Sequence, residues 1–194
     1  MATTPRLILA STSRYRRELL SRFGLPFEAI APGVDEATAP HELPEAAAAR
    51  LAKAKALAVA TRNGDAIVIG SDQVAVCDGL RLDKPGNRPN AIRQLTAMSS
   101  RTVVFHTAVC VVGPSAPPAE AVVPTAVRFR HLTPEIIERY VDREQPFDCA
   151  GSAKAESLGI ALIARMDGPD PTALIGLPLI ALTDLLAGHG LKVL

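Results

Sequence analysis

The sequence predicts a mixed α/β fold, and three kinds of stretch carry that prediction. Residues 66–69 are apolar, mostly β-branched and far too few for a helix, so they read as a buried strand. Residues 45–62 are alanine-rich with interspersed leucines, a helix-forming composition. Residues 101–112 (RTVVFHTAVCVV) and 122–130 (VVPTAVRFR) are the longest strand-like runs. A Pro-rich loop over 113–118 joins these two runs into a long antiparallel hairpin.

The remaining elements follow in order. Residues 6–10 form a first strand, Ser11-Thr12-Ser13 a hydroxyl-rich turn, and residues 14–20 a helix that Gly24 ends. Residues 27–31 form a second strand, which leaves through the turn 32–36 into a loop ending near Pro44. In the helix over 45–62, Lys53 and Lys55 stand two apart and face different ways, so at most one serves a common site. After Asn63-Gly64 the buried strand begins; Gly70 stops it, and strand character resumes through Val74 to Cys77. Asp78-Gly79 is a hairpin signal into residues 80–83, Lys84-Pro85 opens a loop, and residues 89–98 form a helix. Thr133-Pro134-Glu135 has the order of cap and first-turn proline that starts a helix, here running to about Arg143. A polar loop over 149–156 precedes the apolar run 160–163, and residues 176–187 form a closing helix ended by Gly188 or Gly190. The whole chain, 1–194, reads as one domain.

Bulk properties narrow the function. With 194 residues and 48% hydrophobic side chains the chain has ample material for a core. Lys and Arg total 21 against 20 for Asp and Glu, so a net charge of +1 offers no global field to nucleic acid or an acidic membrane. Any anion site must be local. Three cysteines, Cys77, Cys110 and Cys149, lack the spacing of a zinc site and are odd in number, which fits a reducing cytoplasm. Residues 1–5 have neither the basic region nor the apolar core of a signal peptide, and residues 7–10 are too few to span a bilayer. The expectation is a soluble, cytoplasmic protein.

Chemistry concentrates at two strand ends. Asp72 follows the strand 66–69, where an α/β sheet opens its ligand crevice, and is the first candidate for a catalytic group. The strand–turn–helix over 6–20 makes an anion site, in which backbone N–H groups, Ser11, Ser13, Arg16 and Arg17 face one end of the helix dipole. A plainer reading also fits, with the serines capping the helix and the arginines solvated; the paired arginines favour phosphate. His41, His106, His131 and His189 are widely separated and form no triad or metal motif. Cys149 has no activating histidine at a recognisable spacing and reads as a structural thiol.

These residues together resemble a known family. Ser11-Thr12-Ser13-Arg14-Tyr15-Arg16-Arg17 is similar to the S-x-S-x-x-R-R signature of the Maf-like nucleotide pyrophosphatases. Val34-Asp35-Glu36, Lys55, Gly70-Ser71-Asp72-Gln73, Lys84-Pro85 and Cys149-Ala150-Gly151-Ser152 follow in the family's order. Each motif is weak alone, but the ordered set covers nearly the whole chain. Ala54 before Lys55, where the family often has an acid, and Asp83 before Lys84, where glycine is common, depart from the pattern without removing a proposed catalytic group.

The resemblance implies a fold, a reaction and a set of roles. The fold would be an elongated mixed β-sheet flanked by helices, with a cleft between two lobes like that of the inosine triphosphate pyrophosphatases. The reaction would convert a nucleoside triphosphate to its monophosphate and pyrophosphate. Asp72 would be the base, and Ser11, Ser13, Arg16, Arg17, Lys55 and Lys84 would bind phosphate. Glu36 and Asp72 would hold a divalent cation, Mg²⁺ or Mn²⁺, which leaves Asp72 open between base and ligand. Tyr15, Gln73 and Glu156 resemble the specificity positions of the branch acting on 7-methyl-GTP, where the aromatic is often Trp. The branch acting on dTTP and UTP has Arg, Thr and Gln at those places. An aromatic face attracts the cationic 7-methylguanine, and a carboxylate accepts from its N1–H and exocyclic amine. Alternatives are the same chemistry on dTTP, UTP or another noncanonical nucleotide, or a non-catalytic nucleotide-binding regulator of cell division. The partner implied is a small-molecule nucleotide rather than nucleic acid or membrane, and the family suggests a homodimer.

Overall fold

A computed structural model of the chain describes residues 5–37, 39 and 41–194. Residues 1–4, part of the stretch read above for a signal sequence, and residues 38 and 40 of the loop before Pro44 lie outside the described residues. The fold is α/β with a mixed seven-stranded sheet. Strands β1 (Leu7–Leu9), β2 (Glu28–Ala29), β3 (Ile67–Cys77), β5 (Thr102–Gly113), β6 (Ala116–Phe129) and β7 (Ile163–Asp167) lie in the order β2-β1-β3-β5-β6-β7, and β4 (Leu80–Leu82) pairs with β3. Five α-helices accompany them: α1 (Arg14–Ser21), α2 (Pro44–Ala60), α3 (Arg88–Met98), α4 (Pro134–Glu144) and α5 (Leu179–Gly188). Among the described residues no helix is long and apolar enough to cross a membrane.

The chain divides into two compact units, one of residues 1–72, 107–123 and 170–194, the other of residues 73–106 and 124–169. The first has a continuous apolar core in which Leu7 and Leu9 of β1, Ile67 and Ile69 of β3 and Val109 and Val111 of β5 meet Leu19 and Leu20 of α1 and Leu182 and Leu186 of α5. His189, which caps α5, is buried beside Gly113, and burial lowers its pKa from the ordinary histidine value. In the second unit α3 packs on α4, burying Leu95 and Met98 of the one and Ile137, Tyr140 and Val141 of the other.

Four boundaries differ from the sequence reading, each for a physical reason. Gly70 does not stop the strand: β3 runs through it without a break from Ile67 to Cys77. A side chain at position 70 would collide with the Ala52 carbonyl oxygen and lie 2.6 Å from the Ala56 nitrogen, so glycine is there because the α2 backbone touches the strand. The Pro-rich loop shrinks to a two-residue turn, because β6 already starts at Ala116. Pro117 and Pro118 are tolerated there because β7 pairs only with the far end of β6, from Ala126 to Phe129, leaving the prolines on an edge. The closing helix starts at Leu179, after a 3-10 turn at Ala173–Ile175, because Pro178 turns the preceding residue away from helical geometry. The apolar run 160–163 is the only sequence mark of β7, which has one buried residue, Ile163, followed by four exposed ones and so carries no strand-like alternation.

Gly70→Ala tests the helix–strand contact. It is expected to destabilise the protein by about 3 kcal/mol, as overpacking against fixed backbone does. Urea unfolding measures this, and a loss near zero would mean that α2 can retreat from β3.

Candidate active site

β1 and β3 pair in parallel from Leu7↔Ile67 to Leu9↔Ile69, and then β1 ends. β3 continues beyond its β1 partner, so Ser71 and Asp72 lie just past the carboxyl edge of the parallel pair. Both are buried, in a unit whose other polar side chains are mostly at the surface. That is where a doubly wound sheet leaves room for a ligand.

Lys55 joins three elements here. Its side chain is 5% exposed, and its ammonium donates to Asp72 Oδ1 at 2.6 Å and pairs with Glu36 Oε1 at 2.7 Å. One turn of α2 separates Ala52 from Lys55 and Ala56, so the close approach at Gly70 delivers the lysine to the carboxylate two residues along β3. Lys53 points elsewhere, towards Glu120 at 4.0 Å. Glu36 remains half exposed on a loop braced from both sides. Asp35 Oδ1 accepts from Ala37 N–H at 2.9 Å, while Arg50 donates to the Ala37 carbonyl at 3.1 Å and holds Glu42 through two bonds of 2.6 and 2.7 Å.

Arg16 is the second cation at this centre. Burial lowers its pKa from the ordinary arginine value, and the negative charges of Asp72 and Glu36 oppose that shift. A guanidinium stays protonated throughout the accessible pH range. Its Nε donates to the Gly176 carbonyl at 2.8 Å, and the same carbonyl accepts from Ser71 Oγ at 2.9 Å. The loop before α5 therefore clasps α1 to β3. Ser13 caps α1, accepting from Arg16 N–H at 3.4 Å, and Ser11 Oγ accepts from Ser13 N–H at 3.1 Å. The capping reading of the two serines thus describes their local bonds. An accepting hydroxyl still carries its own O–H, which a bound anion would use.

The other predicted residues are spread over both units. Arg17 is exposed on α1. Tyr15 is partly buried, and Arg14 lies over its ring, 4.7 Å from the centroid, while donating to its hydroxyl at 2.7 Å. The ring already receives a delocalised cation on one face. Gln73, Lys84 and Glu156 belong to the second unit, with Gln73 partly buried and the other two exposed. The Lys84 loop is anchored on α3: Gln94 donates to the Asp83 carbonyl and Asn90 to the Pro85 carbonyl, both at 2.8 Å. Gln94 also accepts from Ser152 Oγ, tying this loop to the one over 149–156. The Asp83 carboxylate is held by Arg81 at 2.8 Å. Burial pushes the Cys149 thiol up to about 12, which removes it as a nucleophile.

Ser71, Gly176, Gln94 and Arg14 take part in this architecture and were not singled out by sequence. Only Ser71 carried a signal, as a small polar residue beside Asp72. Among the described residues no group of three or more His, Cys, Asp or Glu side chains is placed to hold a metal ion. Glu36 and Asp72 are a two-carboxylate, all-oxygen donor pair sharing one ammonium. That set suits a hard cation completed by phosphate oxygens and water, and not a self-sufficient metal cage.

The profile of the Maf-like protein family matches residues 6–189. The chain belongs to the Maf-like family. Among its similar curated relatives, the 7-methyl-GTP pyrophosphatase of Thiobacillus denitrificans is 54% identical over 99% of this chain and 96% of that protein. The protein of the same name from Methylobacillus flagellatus is 55% identical over 98% of this chain and 100% of its own length. That from Xanthomonas oryzae pv. oryzae is 58% identical over 96% and 97%. Among solved structures, the Staphylococcus aureus Ham1 protein aligns with a TM-score of 0.45 and 14% identity, over 64% of this Maf-like chain and 71% of that one.

Lys55→Met leaves two carboxylates facing each other, one of them buried. It is expected to cost about 3 kcal/mol, as removing one partner of a buried ion pair does. Urea unfolding checks this; a loss near zero would mean that the ammonium is not what holds the two carboxylates together.

Proposed function

We propose that this Maf-like protein is a nucleoside triphosphate pyrophosphatase that hydrolyses 7-methyl-GTP to 7-methyl-GMP and pyrophosphate, removing a modified nucleotide from the cytoplasmic pool. The observation that carries the reaction is the buried Lys55 shared by Asp72 and Glu36 next to Arg16, just past the carboxyl edge of the parallel strands. The names of the relatives support the substrate.

In this reading water attacks the α-phosphorus, its proton passes to Asp72, and the bond to the bridging oxygen breaks to release pyrophosphate. Lys55 fixes Asp72 through Oδ1, leaving Oδ2 to take the proton. Arg16, Arg17, Lys55, Lys84 and the hydroxyls of Ser11 and Ser13 bind the phosphates. Two of those cations, Lys55 and Arg16, already face two carboxylates, so the buried centre has almost no net charge with which to attract a triphosphate. A divalent ion on Glu36 and Asp72 would offset the carboxylates and polarise the phosphate oxygens. Tyr15, Gln73 and Glu156 read the base: Tyr15 by cation–π attraction, Glu156 by accepting from the guanine N1–H and amine.

A panel of triphosphates incubated with the protein and Mg²⁺ or Mn²⁺ tests the class and the substrate together. Pyrophosphate is the expected product, with 7-methyl-GTP the preferred substrate. Orthophosphate as first product would exclude attack at the α-phosphorus, and preference for dTTP or UTP would move the protein to the other branch. Asp72→Asn is expected to retain nucleotide binding and lose turnover by about a hundredfold or more, in line with removal of a general base. Normal turnover would strip Asp72 of that role. Glu156→Gln is expected to weaken 7-methyl-GTP about tenfold or more while sparing UTP; equal loss on both would end the base-reading assignment.

A further inference from the structure

Outside the charged centre, the most heavily braced polar cluster lies in the second unit, under the loop that carries Glu156. Lys154 is buried there, its side chain 6% exposed, with the ammonium 3.6 Å from Glu144 Oε1 and 3.4 Å from Asp148 Oδ1. It also donates to the Glu144 carbonyl at 3.4 Å. The backbone of the same residue is held as well. Lys154 N–H donates to the Tyr140 hydroxyl at 3.1 Å, and the Lys154 carbonyl accepts from Ser157 N–H at 3.1 Å. Two residues past Glu156, Leu158 N–H donates to Glu144 Oε2 at 3.1 Å. Gly159 closes the loop: a Cβ there would lie 2.6 Å from the Lys154 nitrogen and 2.8 Å from its carbonyl carbon.

Glu144 thus grips the loop on both sides of Glu156, the ammonium of residue 154 with one oxygen and the amide of residue 158 with the other. Tyr140 and Glu144 both belong to α4, and Tyr140 is buried. Glu156 is exposed at the turn between the two anchor points. Burying an ammonium is a poor way to gain stability, since a well-packed apolar side chain would serve as well. What directional bonds add is one defined loop shape.

We infer that Tyr140, Glu144 and Lys154 are positioning residues for base selectivity, holding the loop over 154–158 so that the Glu156 carboxylate meets the purine edge already ordered. The inference rests on Glu156 reading the base. A carboxylate on an unbraced loop would lose conformational freedom each time it bound, and that cost weakens binding of the recognised base without altering the chemical step.

The test measures KM and kcat for 7-methyl-GTP and UTP on the full chain with Mg²⁺, for the wild type, Tyr140→Phe, Lys154→Met, Glu156→Gln and the double variant Tyr140→Phe/Glu156→Gln. Tyr140→Phe and Lys154→Met are expected to raise KM for 7-methyl-GTP about tenfold, keep kcat within about twofold and leave both constants for UTP unchanged. The double variant is expected to match Glu156→Gln alone, because both changes act through one carboxylate. Wild-type selectivity in folded Tyr140→Phe would overturn the inference, as would additive losses in the double variant. Unchanged selectivity in Glu156→Gln would remove the base-reading assignment itself, and the inference with it, an outcome distinct from a failure of the brace alone. If Lys154→Met does not fold, Tyr140→Phe decides, since it removes one oxygen and no charge.

Discussion

The contact between α2 and β3 at Gly70 is the constraint on which the charged centre depends. A helix backbone packed directly on a strand leaves no room for a Cβ, and the axial separation that results is too short for any other residue. It also fixes where the next helical turn faces. Lys55 falls there and reaches Asp72, and the ammonium then gathers Glu36 from a loop that Arg50 and Asp35 hold in shape. A buried lysine beside one buried carboxylate and one half-exposed one is neutralised only if this spacing holds, so a packing contact between backbones sets the electrostatics of the site.

The Gly176 carbonyl has a comparable role at the other side of the centre. It accepts from Arg16 and from Ser71, drawing together α1, β3 and the turn before α5 with a single oxygen. Asp170 extends the same arrangement: its Oδ1 accepts from Thr172 N–H at 2.8 Å and its Oδ2 from Ile180 N–H at 2.8 Å, which secures the start of α5. Chain segments distant in sequence are therefore aligned by one backbone carbonyl and one carboxylate, and the charged side chains of the centre follow. Such a centre is preorganised in the sense that matters for anion chemistry: its donors are held before substrate arrives.

Much of this was legible in the residues. Composition and periodicity located the strands of the first unit, the alanine-rich α2 and the hairpin of β5 and β6, because each has an intrinsic preference that agrees with its place in the fold. The failures came where a tertiary contact overrides the local signal. Glycine at position 70 looks like a strand terminator until the helix against it is seen. The prolines at 117 and 118 look like a loop until the absence of a β7 partner at that end of β6 is known. β7 shows almost no apolar alternation because only Ile163 is buried.

Sequence by itself determined the inventory: two acids, two lysines, paired arginines and serines in an order that matches the Maf-like proteins, with Asp72 next to a buried strand. It also separated Lys53 from Lys55, since helical geometry turns residues two apart to different faces. Only the tertiary structure decided which partners those groups have. Glu36, Lys55 and Asp72 are far apart along the chain, and no propensity or spacing links them; a shared proton donor at hydrogen-bond distance does. The same holds for the brace under Glu156, where Glu144 and Leu158 meet because α4 and the following loop fold back on each other. Local rules choose residues and elements, but the charge balance of a site is a property of distances, and distances come from packing.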